Sequence, residues 1–266
     1  MSHFDFTGAS VLITGASAGI GREFARQLAG RAGSLVLVAR RRERLEELRD
    51  ELTKRDPNLN VHIREADLSD ERAVVDLVEW LEREKIAIDL LINNAGLGDR
   101  GAFATSQTKR VKEMMAVNVV ALTLLTRLLL PPMIERKRGA ILNVSSSAGF
   151  LPIGGLAVYA ATKAYVTSFS EAIRAELRGT GVTVTALCPG PVHTEFNEVA
   201  RRASSRKESS GPPIAYVSVE EVVRDALDAV AHDRPIVIPG FVMKLGMFLV
   251  RLTPMPLLRL VSRLAR

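Results

Sequence analysis

The chain has 266 residues, enough to bury about three quarters of its unfolded surface in one core and a common size for a single α/β domain. Its formal charge of +6 looks like an invitation to nucleic acid, but Lys244, Arg251, Arg259, Arg263 and Arg266 lie in a stretch, 241–266, that has no acid. Five of the six net charges therefore belong to a tail and not to a groove across the fold, which argues against nucleic acid as a partner. The single cysteine, Cys188, cannot form an internal disulfide, and no signal-peptide pattern opens the chain, so a cytoplasmic location is expected.

In chain order, residues 9–14 are apolar without alternation, as in a strand buried on both faces. The Gly-rich turn Thr14-Gly15-Ala16-Ser17-Ala18-Gly19-Ile20-Gly21 follows at once, and a helical pattern begins near Gly19, with Ile20, Phe24 and Leu28 on one face. Strand, Gly-rich turn and helix form the context in which such a turn binds phosphate, because glycine lets backbone approach and the helix N-terminus offers open N–H groups. The next strand, 34–39, ends in Arg40-Arg41-Arg42, where an NAD-binding turn carries an acid for the ribose 2′-hydroxyl. A guanidinium there would grip a 2′-phosphate, so NADP(H) is expected over NAD(H), with Arg40 first and Arg41 next. Asp67, after the strand 60–64, is placed to meet the adenine.

Further strands are expected near 88–93, 139–145, 182–187 and 235–238, with longer amphipathic segments between them. That alternation predicts a Rossmann-type, doubly wound parallel sheet of about seven strands with helices on both faces, over residues 1–240. Its ligand would sit at the C-terminal ends of the strands. Tyr159 and Lys163, four apart on a predicted helix, share a face about 5–6 Å apart. An ammonium about 4 Å from a phenol is worth about 4 kcal/mol at an effective dielectric near 20, enough to bring Tyr159 toward the working range of an acid or base at neutral pH.

The chain resembles the short-chain dehydrogenase/reductase family, in its NADP-preferring type, over roughly residues 7–240. The matching pieces are the turn 14–21, Asp67, Asn93-Asn94-Ala95-Gly96, Asn118, Ser146, Tyr159, Lys163, and Pro189-Gly190 followed by Thr194. The resemblance implies that Tyr159 is the acid/base and that Lys163 lowers its pKa and holds the cofactor ribose. It implies that Ser146 orients the carbonyl, with Ser145 and Ser147 as weaker choices, and that Asn118 positions a water on the proton path. It also implies that Gly15, Ser17, Ala18, Gly19, Ile20, Gly21, Arg40, Arg41, Asp67, Leu68, Asn94, Ala95, Gly96, Pro189, Gly190, Val192 and Thr194 border the cofactor. A homodimer or homotetramer and closure of the polar loop 197–213 over substrate are further implications. No metal is needed: His3, His62, His193 and His232 lack the spacing of a metal site.

The apolar segment 148–156, with Leu97, Phe103 and Phe196, is expected to border the substrate, and no fixed charge is evident, so a lipophilic ketone, aldehyde or alcohol is expected. Two other functions fit the same fold: a non-catalytic nucleotide-binding sensor or scaffold, and an epimerase or dehydratase with no net cofactor turnover. Residues 241–266 predict two short basic amphipathic helices broken at Thr253-Pro254-Met255-Pro256. Their apolar faces would cover the pocket or a subunit, or lie on a membrane surface.

Overall fold

The computed structural model describes residues 4–200, 216–254 and 256–258. Most of the 197–213 loop and the second basic half of the tail, with Arg259, Arg263 and Arg266, lie outside them.

Among the described residues seven parallel strands form one sheet in the order β3-β2-β1-β4-β5-β6-β7. They are β1 (Ser10–Thr14), β2 (Ser34–Ala39), β3 (Asn60–Glu65), β4 (Leu90–Asn93), β5 (Gly139–Val144), β6 (Val182–Leu187) and β7 (Ile236–Val237). The expected strands thus form at the expected places.

Their unbroken apolar runs follow from burial on both faces. Alternate residues feed two separate cores: Val11, Ile13, Leu35 and Leu37 pack in one, Leu12, Val36, Val38 and Leu91 in the other. The first core takes the apolar stripes of α1 (Gly19–Leu28), α2 (Arg42–Arg55) and α8 (Val219–Ala231). The second takes those of α3 (Glu71–Arg83), α5 (Leu122–Glu135) and α6 (Ala157–Glu176). The remaining helices are α4 (Thr108–Met115), α7 (Glu195–Ala200) and α9 (Phe241–Leu252).

Helices α4 and α5 are joined by a π-helical stretch, Ala116–Ala121. The whole run Thr108–Glu135 is long and apolar enough to cross a membrane by composition. Its Leu125, Leu129 and Met133 are instead buried against the sheet. Strand order reverses between β1 and β4, so the turns after these two strands diverge and open a crevice at their C-terminal ends.

Candidate active site

A cavity of about 630 Å³ fills that crevice. Thr14 and Asn94 build its floor. The Thr14 hydroxyl donates to the Ile92 carbonyl (3.3 Å) and accepts from the backbone N–H groups of Asn94 and Ala95, both at 3.0 Å. The Asn94 amide donates back to the Thr14 carbonyl at 2.9 Å, locking the two turns together at the switch point. Gly15 and Gly19 take positive φ, 67° and 52°, which side chains other than glycine rarely adopt. Helix α1 starts at Gly19 after the N-cap residue Ala18, with no side-chain cap, so its first N–H groups stay open beside the cavity, as a pyrophosphate requires. A Cβ at Gly21 would overlap the Gly15 carbonyl oxygen and the Asn94 amide. Gly21→Ala is therefore expected to cost several kcal/mol in stability and to abolish NADPH binding, read by chemical denaturation and calorimetry.

Gly21 acts from behind the wall, and every other expected cofactor residue borders the cavity: Gly15, Ser17, Ala18, Gly19, Ile20, Arg40, Arg41, Asp67, Leu68, Asn94, Ala95, Gly96, Tyr159, Lys163, Pro189, Gly190, Val192 and Thr194. The Asp67 carboxylate accepts from the Ser69 N–H (3.0 Å) and hydroxyl (2.8 Å), which fixes its turn. At the far end Arg41 donates to Glu195 at 3.0 Å and to the Ser17 hydroxyl at 3.3 Å, and Arg44 donates to the other Glu195 oxygen. The Arg44 and Arg41 guanidiniums hold the Glu195 carboxyl below the usual carboxylate range.

Tyr159 and Lys163 project from α6, and Ser146 follows β5, so three side chains from two elements meet at one point of the cavity wall. Ser146 stands beside the Tyr159 phenol, and its hydroxyl accepts from the Ala148 N–H at 3.2 Å. Ser145 turns away, donating to the Lys163 carbonyl at 2.7 Å and bracing α6 against the end of β5. The expected electrostatics need correction. The Lys163 ammonium donates to the Val144 carbonyl at 2.7 Å and stands 5.8 Å from the Tyr159 ring centroid. Burial pushes the phenol up from its ordinary value, and the nearby Ser146 hydroxyl opposes that without cancelling it. Burial also brings Lys163 down to about 8. Both groups are thus biased toward neutrality in this pocket.

Asn118 stands on the π-helical stretch behind the wall. Its carboxamide accepts from the Leu97 N–H (2.8 Å) and donates to the Leu97 carbonyl (2.9 Å) and the Thr162 hydroxyl (3.0 Å). The side chain is committed to stapling the β4 loop to α6, and a water on the proton path would need another of its atoms. A π-bulge at this place fits the habit of such bulges to occur at functional sites.

The sequence model of the short chain dehydrogenase family matches residues 9–205. The chain belongs to that family. It is 41% identical over 232 residues to sulfoacetaldehyde reductase 2 of Chromohalobacter salexigens, covering 84% of this chain and 89% of that one. It is 39% identical over 200 residues to the NADP-dependent 3-hydroxy acid dehydrogenase YdfG of Escherichia coli K12, covering 74% and 78%. Among solved structures, a short-chain dehydrogenase from Sphingobium yanoikuyae in complex with NADPH superposes with a TM-score of 0.77 at 32% identity, covering 88% of each chain. Other similar structures hold NAD or NADP+. As a short-chain dehydrogenase this chain is an oxidoreductase acting on CH–OH groups with a nicotinamide cofactor.

In this family member the apolar half of the cavity is walled by Ala148, Leu151, Ile153, Leu156, Leu97 and Phe196, and the Phe196 ring lies 5.5 Å from that of Tyr159. Phe103 is not in the wall; it is 63% exposed on a separate turn. Arg100 and Glu195 escaped the sequence, whereas a tail face covering the pocket was one of the expected placements. Arg100 places a cation in the wall, Met243 and Met247 of α9 close one side, and Glu195 bridges the arginines. His193 is exposed and stacks on Tyr216, outside the wall. Cys188 is fully buried at the end of β6, its thiol pushed up to about 11. Among the described residues no cluster of side chains could hold a metal ion.

Proposed function

We propose that the protein is an NADP(H)-dependent oxidoreductase that interconverts a ketone or aldehyde and its alcohol. The observation that carries this reading is the convergence of Ser146, Tyr159 and Lys163 on one cavity wall, at the junction of the phosphate-binding half of the cavity and its apolar half. A carbonyl oxygen set against Ser146 and Tyr159 would meet two donors, with the Tyr159 proton available for transfer and Ser146 holding the oxygen in place. Lys163 supplies positive charge beneath the phenol and a donor toward a ribose, and Asn118 keeps α6 and the Leu97 backbone in register. The bound nicotinamide supplies or removes hydride.

Arg40 and Arg41 at the end of β2, joined by Arg44, favour a 2′-phosphate over a free hydroxyl. Glu195 shares two of these guanidiniums, so Glu195→Gln frees donors and is expected to tighten NADPH binding about fivefold while leaving NADH unchanged, measured by calorimetry. Weaker NADPH binding in that variant would instead make Glu195 a support that orients the arginines.

The wall composition supports an apolar substrate. Arg100 favours a second reading, a short aldehyde or hydroxy acid carrying a carboxylate or sulfonate, of the kind named for the two curated relatives. The test follows NADPH and NADH oxidation with apolar ketones and aldehydes beside anionic ones. Turnover on apolar carbonyls with NADPH supports the first reading, and exclusive turnover on anionic carbonyls that Arg100→Gln removes supports the second. A homodimer or homotetramer fits the run Thr108–Glu135, whose apolar window is only 44% buried within one chain.

A further inference from the structure

Helix α9 carries two apolar faces. Met243 and Met247 occupy one, lining the cavity, with Met247 buried and Met243 packed against Gly190. The opposite face is a stripe at helical spacing, Phe241, Leu245, Phe248, Leu249 and Leu252, and all five are exposed, Phe241 by 78% and Leu252 by 66%. Lys244 and Arg251, seven residues apart, are exposed along one flank of that stripe, and the Arg251 guanidinium lies 5.8 Å from the Phe150 ring. Leu257, beyond Pro254, is also exposed. The sequence 241–266 adds Arg259, Arg263 and Arg266 and no acid.

A contiguous apolar stripe at the surface calls for an occupant. A second copy meeting it across a two-fold axis would bring the two cationic flanks together with no carboxylate in either tail to separate them. An anionic bilayer surface has the complementary charge. It accepts apolar side chains at the acyl boundary and lets Lys and Arg stems reach up to the head groups. Twelve residues are too few to span the hydrocarbon, so the helix would lie in the interface plane.

We propose that α9 docks the protein on an anionic membrane surface through Phe241, Leu245, Phe248, Leu249 and Leu252, with Lys244 and Arg251 among the head groups. The Met243–Met247 face keeps its place in the cavity wall, so docking leaves the fold intact and sets the cavity beside the lipid. This inference stands apart from the identity of cofactor and substrate, since none of the docking side chains borders the cavity.

Flotation of the full chain with phosphatidylcholine vesicles, with and without phosphatidylglycerol, tests it. The native protein is expected to rise with the anionic vesicles, about tenfold more than with phosphatidylcholine alone, and to be released as salt screens the cations. Lys244→Gln with Arg251→Gln should weaken that flotation. Phe241→Ser, Phe248→Ser and Leu252→Ser together should abolish it while retaining the native melting temperature and NADPH binding, which shows that the fold survives. Failure of the native chain to float at low salt overturns the proposal. So does flotation of the triple serine variant at the native level, which would move the contact elsewhere. A native oligomer that the triple variant converts to monomers without any flotation assigns the stripe to a second copy and overturns it as well.

Discussion

Tyr159→Phe is expected to lower turnover by about 10²–10⁴-fold while NADPH affinity and melting temperature stay near native. The substitution removes one oxygen and keeps the ring, so the packing against Phe196, 5.5 Å between centroids, is retained. What disappears is the proton that the carbonyl oxygen must receive, while Ser146 stays in the wall. Because burial raises the phenol, Tyr159 holds its proton at neutral pH and is loaded for reduction. Alcohol oxidation needs the phenolate, so its kcat/KM in the native enzyme is expected to climb with pH while reduction does not. Steady-state rates in both directions over a pH series measure this. If Tyr159→Phe keeps half of the native rate, another group carries the proton.

The fold was readable because its determinants are local. Uninterrupted apolar runs such as 34–39 specify strands buried on two faces, and the turn 14–21 shows its strand–turn–helix context in a few consecutive residues. Geometry across the chain was not readable in the same way. Glu195 meets Arg41 and Arg44 over a separation of some 150 residues, and nothing near Glu195 marks it as their partner. Met243 and Met247 look like ordinary apolar positions of an amphipathic tail; only the path of α9 over Gly190 puts them in the cavity. Phe103 erred the other way, because an aromatic residue near the β4 loop was read as pocket lining when its turn points it to solvent. The Tyr159–Lys163 spacing was right about proximity. It could not reveal that the Val144 carbonyl, at the end of β5, takes the ammonium.

That contact makes Lys163 the second decisive site. Lys163 is 4% exposed, and burial brings its pKa from 10.5 to about 8. Cys188 beside it is pushed up from 9.0 to about 11 by burial, so its own linkage runs the other way and is shared by the native chain and a Lys163 variant. Below about pH 8 both the native and the unfolded chain carry the Lys163 proton, and the cost of burying the charge is present in full. Between about 8 and 10.5 the unfolded chain binds the proton and the native chain does not, so the Lys163 contribution to native stability rises with pH through that window. The gap corresponds to about 3 kcal/mol. Lys163→Met has no such proton, and its lost bond to Val144 costs the same at every pH. Relative to the variant, the native chain is therefore expected to gain about 3 kcal/mol between pH 8 and 10.5, read by urea unfolding of both proteins at each pH. A constant difference would mean that Lys163 keeps an ordinary pKa. Activity follows the opposite course. The charge beneath the phenol assists proton donation, so the kcat/KM of reduction should fall as pH rises through about 8. Lys163→Met should sit about 10²-fold lower or more, with that inflection absent. A site that gains stability and loses catalysis over the same pH range is one where the fold bears the cost of a buried charge that the reaction uses.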